Sequence, residues 1–237
     1  MNPRTPDREL ALVQTVVQLL GLTTLPLLLM AGRVAYTGSL THAHIVWNLL
    51  LAWLPVAFAY LAVRPRSTPM PLRLAFCLAW LLFLPNAPYL VTDMIHLPYG
   101  SGIPLLYDVV LLFSAALCGL ALGIVSLRWI QAAVAARLGA WPGRLFVLAS
   151  LGMAGFGIYL GRYLHWNSWD ILLRPVALAQ DIWLHVSHPI QHWHAWALAL
   201  LFAALLSFAY GLLAALGKQD HYDNPNHSYL NNIRSLQ

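Results

Sequence analysis

The chain has 237 residues, 60% of them hydrophobic and only 9% charged, with thirteen Lys and Arg against eight Asp and Glu. Globular domains carry about 25% charged residues, so a soluble fold could not cover its surface from this supply. A mean hydropathy of +0.67 also excludes disorder, collagen, coiled coil and a disulfide-rich secreted scaffold.

What remains is an all-α, polytopic transmembrane helix bundle. A hydrocarbon core about 30 Å thick takes roughly 20 apolar residues per helix. Apolar runs that meet or approach this length, uncharged apart from Asp108 in the fourth, lie at residues 10–32, 45–63, 74–90, 105–127, 145–160 and 193–216. They predict a single transmembrane domain over residues 1–217 with about six spans. The first run is too long for a signal-peptide core and no small-x-small site closes it, so it is expected to remain as an anchor. The polar stretch 218–237, with Asn224-Pro225 and several further Asn, is expected to be a poorly ordered cytoplasmic tail.

An even number of spans puts both termini on one side. That side holds Arg4, Arg8, Arg64, Arg66, Arg73, Arg128, Arg137, Arg144, Lys218 and Arg234, ten of the thirteen basic residues. Arg33, Arg162 and Arg174 fall opposite. The positive-inside rule therefore assigns both termini to the cytoplasm. The basic balance belongs to short turns beside anionic lipid, and no basic run interleaved with aromatics could track a nucleic-acid backbone, so nucleic acid is not an expected partner. Cys77 and Cys118 lie inside spans and read as small apolar core residues. Gly119 with Gly123, and Gly157 with Gly161, are GxxxG pairs that suggest the fourth and fifth spans as the interior pair.

The polar side chains collect at the outer ends of the spans. His42, His44 and Asn48 open the second, Asn86, Tyr89, Asp93 and His96 close the third, and Tyr107 and Asp108 open the fourth. Arg162, His165, Asn167 and Asp170 follow the fifth, and His185, His188, His192 and His194 precede the sixth. Such a convergence at membrane depth is expensive and marks a functional site by default. Pro85 and Pro88 each lack an amide hydrogen, so the third helix should kink or stop there. Asn86 either satisfies the broken backbone or meets a ligand. Asp93 and His96 stand three apart, which suits a metal-ligand pair or an aspartate orienting a catalytic histidine.

In GRYLHWNSWD, Asn167 or Ser168 is placed to cap a helix from about Trp169, with Asp170 in its first turn. An outer interfacial helix is expected over about 169–186, divided by Pro175. Trp166, Trp169 and Trp183 read first as interface-belt residues. Arg162 should pair with Asp170 or Asp93, or bind an anion. His188 and His192 are four apart, the spacing of many zinc sites, and His96 with Asp93 or Asp108 would have to complete the set. His194, His42 and His44 read as surface residues.

The segments WNLLLAW, LFLPNAPYLVTDMIHL, YDVVLL and GIYLGRYLHWNSWD resemble the domain of unknown function 1361 family of bacterial multi-pass membrane proteins. The resemblance runs from the second span to the sixth, and the NAPY and HWNSWD segments are its most distinctive parts. His165 stands where a basic residue, often arginine, is expected, and His192, four before Trp196, matches a histidine at the start of the last helix. The resemblance implies a bacterial inner-membrane location and no established activity. Thr92 with His96, Asp108, and His188 with His192 are also similar to the zinc-holding pattern of the alkaline ceramidase and adiponectin-receptor type of membrane hydrolases.

Three expectations follow. An enzyme would use Asp93, His96, Asp108 and Asp170 as acid/base residues, or His96, Asp108, His188 and His192 as ligands of a divalent metal such as zinc. Its substrate would be a membrane lipid or envelope component oriented by Asn48, Asn86, Tyr89, Tyr107, Arg162 and Asn167. Alternatively the same residues form a non-enzymatic binding or transport site for a lipid, ion or small molecule; the near absence of charge within the spans and the lack of a repeat weigh against coupled transport. Thirdly, they form an internal network that holds broken helices together. Oligomeric state is not legible.

Overall fold

The computed structural model describes the backbone over residues 5–64, 68–97 and 103–222, and side chains over 10–64, 68–97 and 103–215. The elements among them are helical: α1 (Thr5–Thr37), α2 (His44–Val63), α3 (Met70–Phe83), α4 (Asn86–Tyr89), a 3₁₀ segment (Leu90–His96), α5 (Leu105–Leu138), α6 (Ala140–Tyr163), α7 (Asp170–Leu173), α8 (Pro175–Ser187) and α9 (Trp193–Tyr222). Among the described residues, six stretches are long and apolar enough to cross a membrane: Leu10–Thr37, His44–Val63, Met70–His96, Leu105–Leu138, Ala140–Tyr163 and Trp193–Ala215. The chain is an all-α polytopic bundle.

Several helices outrun their apolar stretches, because backbone hydrogen bonding continues wherever side chains permit. α5 has 34 residues, about 51 Å at about 1.5 Å per residue, and so extends past a hydrocarbon core. α9 passes Lys218 and reaches Tyr222, into the region expected to be a tail; residues 223–237 of that tail lie outside the described residues.

α5 is the central post. In its most apolar window 61% of residues are buried, against 17% for the first span and 11% for the last, which leaves those two mainly to lipid. One apolar cluster joins Leu49 and Val56 of α2 to Leu111, Leu112 and Leu122 of α5. A second joins Trp80 and Leu84 of the third span to Leu127 of α5 and Leu151 and Ile158 of α6. The Trp80 indole donates to Ser126 Oγ at 3.1 Å, and Ser126 donates onward to Gly123 O, so the polar edge of a buried ring is satisfied within the core. Gly139, at φ +98°, turns α5 directly into α6, a backbone conformation that L side chains rarely adopt.

The third span breaks where its prolines require. α3 ends at Phe83, and the chain continues as the one-turn α4 and the 3₁₀ segment. Pro85 and Pro88 cannot donate, and Ala87 N reaches back only to Leu84 O at 3.3 Å. Both GxxxG pairs close on this break. A Cβ on Gly119 would lie 2.2 Å from Ala87 O, and one on Gly123 3.3 Å from the Ala87 Cβ. From the other side, a Cβ on Gly157 would lie 2.4 Å from Pro85, and one on Gly161 3.1 Å from the Tyr89 ring. The glycines of α5 and α6 thus hold the NAPY segment between them, whereas Gly155 admits the backbone of α9, 2.3 Å from Ala199 O on the same construction.

Candidate functional site

The break leaves the polar ends of α2, the third span, α5 and α6 together at one end of the bundle. Arg162, in the last turn of α6, is the hub. Its Nη2 donates to Asp93 Oδ1 at 2.6 Å and to Thr92 Oγ1 at 2.5 Å, its Nε donates to Thr92 Oγ1 at 3.0 Å, and its Nη1 is 3.0 Å from His96 Nε2. The guanidinium also lies over the Tyr89 ring, 4.4 Å from its centroid. Asn48 Nδ2 donates to the second carboxylate oxygen of Asp93 at 2.8 Å. Asp93 is buried, and each of its oxygens has a partner. Arg162 donates, so His96 accepts on Nε2 and carries its proton on Nδ1 when neutral. Of the two partners offered to Arg162 by spacing, the structure selects Asp93.

His44 completes a group of possible metal ligands. Ligand atoms of His44, Asp93 and His96 lie within 4.8 Å of one another, the rings of His44 and His96 are 5.3 Å apart, and His44 Nε2 is buried with no hydrogen-bond partner among the described residues. Two imidazoles and a carboxylate are a zinc-type donor set. The Arg162 guanidinium, which already contacts Asp93 and His96, opposes a second cation there.

The metal set expected from spacing, His96, Asp108, His188 and His192, is not the group that converges. Asp108 is fully buried and accepts from Arg33 Nε at 2.8 Å and Nη2 at 3.4 Å, with His42 Nε2 3.7 Å away. His188 is exposed beside Ser187. His192 lies against the His185 ring at 4.2 Å, and His185 is held by Asp181 O and Tyr159. The expected surface position of His42 is also corrected: it is 1% exposed, packed beside Arg33 and Asp108. Burial and the neighbouring Arg33 lower its pKa, outweighing the pull of Asp108 in the other direction. His44 is half-buried, whereas His194 is exposed as expected.

Tyr107, expected to contact a ligand, instead donates to Leu29 O at 2.6 Å and ties α5 to α1. Asp170 serves a local turn. Its Oδ2 accepts from the Asn167 backbone N–H at 2.7 Å and from Asn167 Nδ2 at 3.4 Å, and its Oδ1 accepts from Arg174 Nη2 at 3.0 Å. These bonds, the backbone one foremost, hold the Asp170 carboxyl below the ordinary range. Neither Asn167 nor Ser168 caps the following helix. α7 starts at Asp170 without a side-chain cap, because Ser168 is spent on Leu82 O and Asn86. The interfacial segment is divided at Arg174, just before Pro175.

Beside this charged cluster lies a cavity of about 180 Å³, walled by parts of α2, the third span, α6, the 164–169 turn and α8. Asn48, Asn86, Tyr89 and Asn167 are in its wall with Ser168, Trp47, Trp166 and Trp169, and Leu51, Leu82, Leu160 and Leu178 supply apolar surface. Arg162 reaches it through Tyr89 and, by way of Asp93, Asn48. Trp183 is 70% exposed, as a belt residue would be. Trp47 and Ser168 gave no sign of this role in the sequence, because their convergence depends on how the third span breaks. The Arg33–Asp108 pair had a sequence signal: three arginines and four aspartates share this end of the spans.

No curated protein and no solved structure matches the chain. A family model described as "Protein of unknown function (DUF1361)" matches residues 47–209, from α2 into α9. The matched stretch contains every wall residue of the cavity, together with Asp93, His96 and Arg162, whereas Arg33, His42 and His44 precede it. With more than half its length so matched, and with the NAPY and HWNSWD segments forming the site itself, the chain belongs to the DUF1361 family.

Proposed function

We propose that this chain is a multi-pass protein of the bacterial cytoplasmic membrane, with both termini inside, that receives the polar part of a membrane lipid or envelope substrate at its outer face. The observation that carries the reading is the cavity beside the broken third span, where amides and hydroxyls meet indole rings and apolar side chains. Ligand pockets combine mainly apolar walls with a few placed polar groups, and tryptophans mark the level of lipid headgroups. The orientation rests on the basic residues of the connecting turns. The test is lipid retention: wild-type protein purified from membranes should carry a bound lipid-soluble molecule that Asn86→Ala and Asn167→Ala variants lose while remaining folded. Equal retention by all three would overturn the reading. Reporter fusions at the two ends should both report the cytoplasm.

A second reading, metal-dependent hydrolysis or modification of the same substrate, is favoured by the approach of His44, Asp93 and His96. Zinc there would activate a water, with Arg162 displaced from His96 or neutralising the product. Elemental analysis separates the two. About one zinc per chain, lost in His44→Ala, supports the metal reading, and protein free of zinc after purification in zinc-supplemented buffer removes it.

A further inference from the structure

The hydrogen-bond directions around the cavity restrict what it accepts. Asn48 and Asn167 each direct their amide nitrogen to a carboxylate, Asp93 and Asp170, which can only accept. Asn86 directs its nitrogen to Ser168 Oγ, and the Ser168 proton goes to Leu82 O at 3.3 Å. Partner chemistry thus orients all three amides, and each keeps a carbonyl oxygen and a second amide hydrogen without a hydrogen-bond partner among the described residues. Three acceptors and three donors call for an occupant that both donates and accepts.

Charge narrows the class. No Asp, Glu, Lys, Arg or His lines the cavity among the described residues, so a phosphate or carboxylate would have no cation in contact and no hydrogen to give the three carbonyls. A cationic amine would suit carbonyls and aromatic faces, but those faces are partly taken: Arg162 lies over Tyr89 at 4.4 Å and Arg174 over Trp166 at 4.8 Å. An ammonium also offers no acceptor to the three free amide hydrogens. An occupant that both donates and accepts, is uncharged, and presents a flat C–H face to indole is a hydroxylated ring, and 180 Å³ is many times what one ordered water requires.

We propose that the cavity binds an uncharged, polyhydroxylated group, of the size of one sugar ring, on Asn48, Asn86 and Asn167 against Trp169. The proposal rests on the headgroup reading above and names the chemical class of the head. The group could belong to a glycolipid or to a free saccharide. The experiment is native mass spectrometry of the full chain in phosphatidylcholine nanodiscs containing equal amounts of monoglucosyl diacylglycerol, phosphatidylglycerol and phosphatidylethanolamine. The expected result is about tenfold enrichment of one glucosyl lipid per chain, lost in Asn86→Ala and Asn167→Ala variants whose melting temperatures show that they remain folded. Displacement of that lipid from wild-type protein by millimolar methyl β-glucopyranoside shows that the sugar ring alone is recognised; lack of displacement assigns the site to the glycolipid. Enrichment of phosphatidylglycerol or phosphatidylethanolamine with the same dependence on Asn86 and Asn167 overturns the sugar class and leaves the headgroup reading standing. Retention of no lipid in a manner that depends on these residues, with no binding of the free glucoside, overturns both.

Discussion

Arg33 and Asp108 illustrate how a charge survives at membrane depth. Each is at most 1% exposed, and Arg33 Nε lies 2.8 Å from Asp108 Oδ1, so the desolvation of one ion is offset by its partner. Asp108→Asn should destabilise the folded protein by about 3–5 kcal/mol by stranding Arg33, whereas the double substitution Arg33→Leu with Asp108→Leu should recover much of that loss; chemical unfolding in micelles reads both. His42 adds a pH dependence. Its folded-state pKa lies below 6.5 because it is buried and beside Arg33, with Asp108 and His44 as its other ionisable neighbours. Below pH 6.5 the unfolded chain therefore takes up a proton that the folded chain resists, and stability falls as pH falls from 7 to 5. A His42→Gln variant should lose this part of the slope in melting temperature against pH. Asp170 has the same sign of linkage in a more acidic window: its folded-state pKa also lies below the ordinary value, so its contribution is full above 3.8 and is lost as pH falls below it. Wild type and Asp170→Asn should differ in melting temperature at pH 7 and converge in strong acid.

The third span shows which parts of an element can be read from a sequence. Its break was legible, because Pro85 and Pro88 remove donors whatever surrounds them. The partner of the two glycine stripes was not. GxxxG spacing says that a backbone approaches but not which one, and here both stripes close on the NAPY segment rather than on each other. The substitution Gly119→Ala would drive a Cβ to 2.2 Å from Ala87 O and should cost about 1–3 kcal/mol through overpacking. It should also disturb the cavity, since Asn86 and Tyr89 flank the displaced residue. Gly152→Ala, where an added Cβ meets nothing within 4 Å, should be neutral or stabilising by up to about 1 kcal/mol through helix propensity. Melting temperatures of the two variants, measured side by side, check the assignment.

Composition and hydropathy sufficed for the bundle, since lipid imposes the same demand on every span. The site was legible in part. Asn48, Asn86, Tyr89 and Asn167 stood out as polar residues at span ends, and they now line one cavity, but the expected His188 and His192 ligands sit elsewhere, because residues four apart share a direction without sharing a destination. The three arginines that depart from the positive-inside pattern find acids: Arg33 with Asp108, Arg162 with Asp93, and Arg174 with Asp170. Their charge is thus largely cancelled at that end of the bundle, and the cavity between the last two pairs is left uncharged. The proposed function requires that cavity to hold the polar head of a lipid. An experimental structure of the protein in nanodiscs made from bacterial lipid extract tests it most directly. Density for a headgroup is expected between Asn86, Asn167 and Trp169, with its chain leaving toward the bilayer. A cavity holding only water, or closed by side chains, would contradict it.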